Sequence, residues 1–119
     1  MSQKTDVHVH RKIVLSFLMV AVVSVLPGIS DAMDAAPLYG SKCAACHGPK
    51  GEGNSVGPAL KGDPFITKGT PAEIKKVILM GRMEKDKKYP NFMTAMPGGL
   101  ASEAEADALV AYLQGELQK

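Results

Sequence analysis

Aromatic residues are scarce in this sequence. It has no tryptophan, three phenylalanines and three tyrosines among 119 residues. Phe17 lies in an apolar N-terminal stretch, which leaves Tyr39, Phe65, Tyr89, Phe92 and Tyr112 for a core. A domain this small has a marginal core and ordinarily needs a disulfide, a metal or another staple. Cysteine is just as sparse, with Cys43 and Cys46 the two in the chain. That excludes a disulfide-rich scaffold. The three histidines are His8, His10 and His47. Charge of one sign is also missing, because the formal net charge is only +2. A nucleic-acid binder would need a strong basic bias. No apolar run reaches the length of about 20 residues that a spanning helix requires.

The longest apolar run covers residues 13–26 and follows a polar segment carrying Lys4, Arg11 and Lys12. Pro27 and Gly28 break it, and Ser30-Asp31-Ala32 puts small residues where a signal peptidase reads. This three-part pattern predicts a secretory signal peptide over 1–32, cleaved after Ala32. The competing reading is an uncleaved membrane anchor. His8 and His10 fall in this leader and receive no role. The expected mature domain is 33–119, with 11 basic and 10 acidic residues. Near-balance leaves the sign of any partner's surface open.

Three stretches of the mature part read as helices. The first runs from about Asp34 to Ala45, with Asp34 as cap and Pro37 in the first turn. The second begins at Thr70-Pro71-Ala72-Glu73, a capping box with proline at the first helical position. Ile74, Val77 and Ile78 then share a face, and Gly81 stands near its end. The third begins at Ser102 with Glu105 completing another capping box, and Ala106, Leu109, Val110 and Leu113 form one apolar stripe. The stretches 48–69 and 83–100 are rich in glycine and proline and read as loops. No segment reads as a strand. Loops this long in a compact domain ordinarily have a job, and wrapping a large cofactor would explain both. The predicted class is all-α, short helices and long Gly/Pro loops around one cofactor.

Cys43-Ala44-Ala45-Cys46-His47 is the covalent attachment signature for a c-type haem. A short helical turn brings two thiols to the vinyl edge of a porphyrin, and the next residue offers its imidazole to the iron. A thioredoxin-like dithiol would sit in a βαβ pattern, which is absent. A zinc site would need four N or S ligands, and the mature part offers Cys43, Cys46 and His47. With no second mature histidine, the sixth iron ligand is sought among Met33, Met80, Met83, Met93 and Met96. Met96, in the Met96-Pro97 loop before the last helix, meets the requirement best, with Met93 as rival. Met80 and Met83 lie on or just past the second helix, where methionine ordinarily packs. A metal-bound histidine donates its other ring N–H to a fixed acceptor. The carbonyl in the Gly57-Pro58 turn is a candidate, the alternative being that Pro58 only shapes the loop.

These residues resemble class I cytochrome c, the small monohaem family, over most of residues 35–115. Tyr39 stands where that family has an aromatic before its attachment motif. Gly57-Pro58-Ala59-Leu60-Lys61-Gly62 is similar to its Gly-Pro-x-Leu-x-Gly loop, and Met96-Pro97 to its distal Met-Pro. Ala111-Tyr112-Leu113 is similar to the aromatic segment of its last helix. The resemblance implies that the Pro58 carbonyl accepts from the proximal histidine and that Leu60 packs on the haem. It also implies that the first and last helices cross closely, with Gly40 or Ala36 easing the approach. The stretch 82–92 departs from the family pattern, and Arg82, Tyr89 and Asn91 are candidates for the haem propionates by chemistry alone.

The expected function is electron transfer, and not enzyme catalysis, by one covalent haem c shuttling single electrons between periplasmic redox proteins through an exposed haem edge. The chain would act as a monomer or as a subunit of a redox complex. Lys42, Lys50 and the Lys85, Lys87, Lys88 group are candidate docking charges, against a reading of the last three as a solvated loop. Two other functions compete: a haem relay subunit of a larger oxidoreductase, and a ligand sensor with an open sixth position. No nucleic acid is expected as partner, and a membrane only if the leader stays.

Overall fold

A computed structural model describes residues 33–119. The proposed signal peptide, its cleavage site, His8 and His10 lie outside the described residues.

The first helix, α1 (Ala35–Lys42), is capped by the Asp34 carboxylate, which accepts from Ala36 N–H at 3.3 Å. It stops at Cys43, whose φ of −121° and ψ of −34° leave the helical region, and α2 (Ala44–His47) follows at once. The expected single helix to Ala45 is therefore two. The bend comes at the first cysteine of the attachment motif, so α2 is aimed separately from α1. The loop expected over 48–69 also needs correction. It contains α3 (Pro64–Lys68), capped by Asp63, which accepts from Phe65 N–H at 2.7 Å, with proline in its first turn. Both predicted capping boxes are formed, at the starts of α4 (Pro71–Met80) and α5 (Glu103–Gln114). Short 3₁₀ turns cover Glu84–Asp86 and Glu116–Gln118. Among the described residues no strand forms, and one isolated antiparallel bridge pairs Arg82 with Met96.

α5 packs on α1, α3 and α4. Its stripe of Ala106, Leu109, Val110 and Leu113 is buried, together with Tyr39, Ile66, Ile74, Ile78 and Leu117. Each of the buried Leu, Ile and Val side chains contributes roughly 1.5–3 kcal/mol by leaving water. Polar groups at the edge of this core find partners. Gln114 Nε2 donates to the carbonyls of Ile66 at 3.0 Å and Gly69 at 2.9 Å, which fixes α3 to α5. Contact between α1 and α5 centres on Tyr39 and Tyr112, whose rings lie 5.5 Å apart and tilted by 44°. Gly40 and Ala36 have no part in easing it: both are exposed, and a Cβ on Gly40 would meet nothing within 4 Å.

Candidate haem-binding site

The attachment turn is built from backbone hydrogen bonds to the Cys43 carbonyl, from Cys46 N–H at 3.1 Å and His47 N–H at 3.0 Å. Both cysteines are free thiols and half-buried. Burial pushes the Cys43 thiol up, with Lys42 pulling the other way. His47 is 8% exposed. Its Nδ1 lies 2.8 Å from the Pro58 carbonyl oxygen. A carbonyl can only accept, so this contact puts the proton on Nδ1 and leaves a lone pair on Nε2 for a metal.

Pro58 is held there by the loop. Gly53 N–H donates to the His47 carbonyl at 2.7 Å, and Asn54 Nδ2 donates to the Ala45 carbonyl at 3.0 Å. Asn54 Oδ1 in turn accepts from Val56 N–H at 2.8 Å. Gly57 lies so close that a Cβ on it would come within 2.6 Å of the Cys46 carbonyl oxygen and 3.3 Å of His47 Nδ1. Behind the turn, the buried Tyr39 hydroxyl donates to the Gly48 carbonyl at 2.8 Å. Burial, chiefly, raises its pKa to about 12, so it remains a neutral donor.

His47 opens into a cleft of about 840 Å³, counted to its open mouth. Cys43, Pro58, Leu60, Phe65 and Val77 contribute to the lining, as do the core residues Ile66, Ile74, Ile78 and Leu113. The wall is thus continuous with the hydrophobic core. Cys46, on the same turn as His47, does not line it. An apolar cleft with a tautomer-fixed histidine and a thiol at its rim suits a haem, whose faces are apolar and whose iron takes an imidazole nitrogen.

The remaining wall comes from the 82–96 segment, through Arg82, Lys87, Lys88, Tyr89, Phe92, Thr94 and Met96. Met96 is half-buried, and its carbonyl accepts from Arg82 N–H at 2.9 Å. Gly81 makes that pairing fit, with φ of +69° and space for a Cβ only 2.3 Å from the Met96 oxygen. Met93 is 94% exposed and lines no part of the cleft. Met80 and Met83 are exposed too, contrary to the expectation that they pack. Of the three candidates for propionate contacts, Arg82 and Tyr89 line the cleft and Asn91 does not.

The lysines considered as docking charges divide differently from the sequence grouping. Lys87 turns inward onto the Phe92 carbonyl at 2.8 Å and Glu84 at 2.8 Å. Lys88 pairs with Asp63 at 3.3 Å. Lys42 donates to the Leu100 carbonyl at 2.7 Å. Lys50 and Lys85 are exposed. Sequence reasoning did not single out Asp63. Its cap position before Pro64 was legible, but its contacts with Lys88 and Tyr89 are long-range and leave no spacing signal.

Residues 32–115 match the family model described as cytochrome c. A comparison with curated proteins returned no match.

Proposed function

This chain belongs to the cytochrome c family, and we propose that it is an exported carrier of single electrons, with His47 and Met96 as the axial ligands of one haem. Haem-based electron transfer with a covalently held c-type haem is the general activity of the family. When bound, the haem supplies a one-electron ferric/ferrous couple. Cys43 and Cys46 would hold it by thioether bonds. The Pro58 carbonyl keeps the Nε2 lone pair of His47 available. The Met96 thioether, a soft and neutral donor, would favour the ferrous state. The apolar lining acts in the same direction by disfavouring extra positive charge.

One observation carries this reading. His47, with Nδ1 already engaged, and Met96 line a single apolar cleft, while Met93 is almost fully exposed. A thioether supplied by Met96 at the sixth position would disfavour the sensor reading. Partner proteins would meet the haem edge near Cys43 and Cys46 through a small, transient interface. Among the described residues no helix is long and apolar enough to cross a membrane.

The test uses protein made in a host with haem-attachment machinery. A pyridine haemochrome assay should report one covalent haem per chain, and finding none overturns the reading. The ferric protein should show the weak far-red band of a methionine–iron bond. Met96→Ala should abolish that band and Met93→Ala should keep it. The opposite result transfers the ligand role to Met93. Ready binding of carbon monoxide by the reduced native protein would instead favour the sensor.

A further inference from the structure

We propose that Asp63 is a positioning residue for electron transfer: its carboxylate clamps the Met96-bearing segment to the cleft wall and supplies a fixed negative charge that favours ferric iron. The proposal rests on reading the cleft as the haem site. The Asp63 side chain is only 9% exposed and lines that cleft. Its contact with Phe65 N–H at 2.7 Å is an ordinary helix cap. The other two contacts are not explained by the helix. The Tyr89 hydroxyl donates to Oδ2, and Lys88 Nζ lies 3.3 Å from Oδ1. Lys88 and Tyr89 line the same cleft.

The 83–93 stretch is otherwise tied mainly to itself. Lys87 bonds the carbonyls of Phe92 and Met93 and pairs with Glu84, and Asp86 N–H bonds the Met83 carbonyl. Among the described residues, the hydrogen bonds that leave this stretch end on Asp63. Without them the stretch leading to Met96 would keep the Lys88 ammonium over the Phe65 ring, 5.3 Å from its centroid, and the Arg82 bond to Met96 itself. Burial pushes the Asp63 carboxyl up, but its hydrogen bonds from Tyr89, Phe65 and Lys88 outweigh that and hold it below the usual carboxylate value. An anion in a largely apolar wall is weakly screened. It stabilises the more positive ferric state, against the opposing charges of Arg82, Lys87 and Lys88 in the same lining.

Asparagine at this position keeps the shape and an acceptor oxygen but removes the charge. Phenylalanine at Tyr89 keeps the charge and removes one tie. For the haem-loaded protein, Asp63→Asn should raise the ferrous-to-ferric ratio at fixed ambient potential about threefold, or ~28 mV at 59 mV per tenfold for one electron. Tyr89→Phe should speed amide exchange across 83–93 about tenfold while moving the potential much less. Asp63→Glu, which retains the charge, should stay near the native potential and covers the case in which the asparagine variant loads poorly. An unmoved potential in Asp63→Asn overturns the charge role. Equal potential shifts in Asp63→Glu and Asp63→Asn also overturn it, since loosening would then be the cause. Unchanged exchange in Tyr89→Phe and Asp63→Asn together overturns the clamp. A native protein without covalent haem overturns the functional reading itself, whereas a methionine-ligated haem with an unmoved potential overturns only this proposal.

Discussion

The position of one imidazole depends on the absence of one methyl group. His47 Nδ1 reaches the Pro58 carbonyl because Gly57 lets the loop lie against the Cys46 carbonyl, where a Cβ would sit only 2.6 Å from the oxygen. Backbone cannot yield as a flexible side chain can, so Gly57→Ala should displace the loop and lengthen the bond to His47. We expect a loss of about 1–3 kcal/mol, the usual cost of overpacking, read by denaturant unfolding of the haem-loaded protein. Native stability in that variant would show that the loop has slack. At this scale the attachment motif was legible because its spacing is local, and the Pro58 carbonyl was a candidate through the likeness of the Gly57-Pro58 turn to a family loop. Asp63 was not, because its decisive partners, Lys88 and Tyr89, stand 25 and 26 residues away.

At the scale of elements, legibility followed the end signals. Thr70 and Ser102 each accept from the N–H three residues on, while Glu73 and Glu105 reach back to the cap. Both helices were placed from those patterns. α3 was missed, although Asp63 before Pro64 is also a start signal, because the surrounding glycines and prolines masked a helix of five residues. The break at Cys43 had no signal of its own. We expect Thr70→Ala and Ser102→Ala each to cost about 1 kcal/mol. Hydrogen bonds from Thr70, side chain and then backbone, lower the Glu73 pKa, and the Ser102 backbone lowers that of Glu105. A carboxyl with a depressed folded-state pKa contributes stability above its unfolded value and loses it as pH falls through the folded one. Thermal midpoints should therefore drop on acidification below the usual carboxylate range. Each alanine variant should lose less on acidification than the native protein, and parallel curves would show that the glutamates act without the caps.

At the scale of the whole molecule, the shortage of aromatics and the cleft are one fact. Ile66, Ile74, Ile78 and Leu113 are counted in the buried core and also line the cleft. Their inner sides rest on other side chains, and their outer sides face the space a haem would fill. Among the described residues Tyr39 is the only aromatic in the buried core, and α3 meets the rest through Ile66, the half-buried Phe65 and the Gln114 bonds. The cofactor would cover the remaining apolar lining of the cleft, Leu60, Phe65 and Val77 included. A covalently held haem would stay on the chain when it unfolds, so its contribution is what only the folded state provides: burial of its apolar faces and the bonds from His47 and Met96. The haem-free chain, made as Cys43→Ser/Cys46→Ser and freed of haem, should lose roughly 5 kcal/mol or more, comparable to the entire stability of a small domain. Its circular dichroism should show reduced helix and a broad thermal transition, against a sharp one for the loaded protein. A cooperative haem-free transition close to the loaded one would mean that the side chains suffice for the core, and that the long 48–69 and 83–100 stretches are not there to wrap a cofactor.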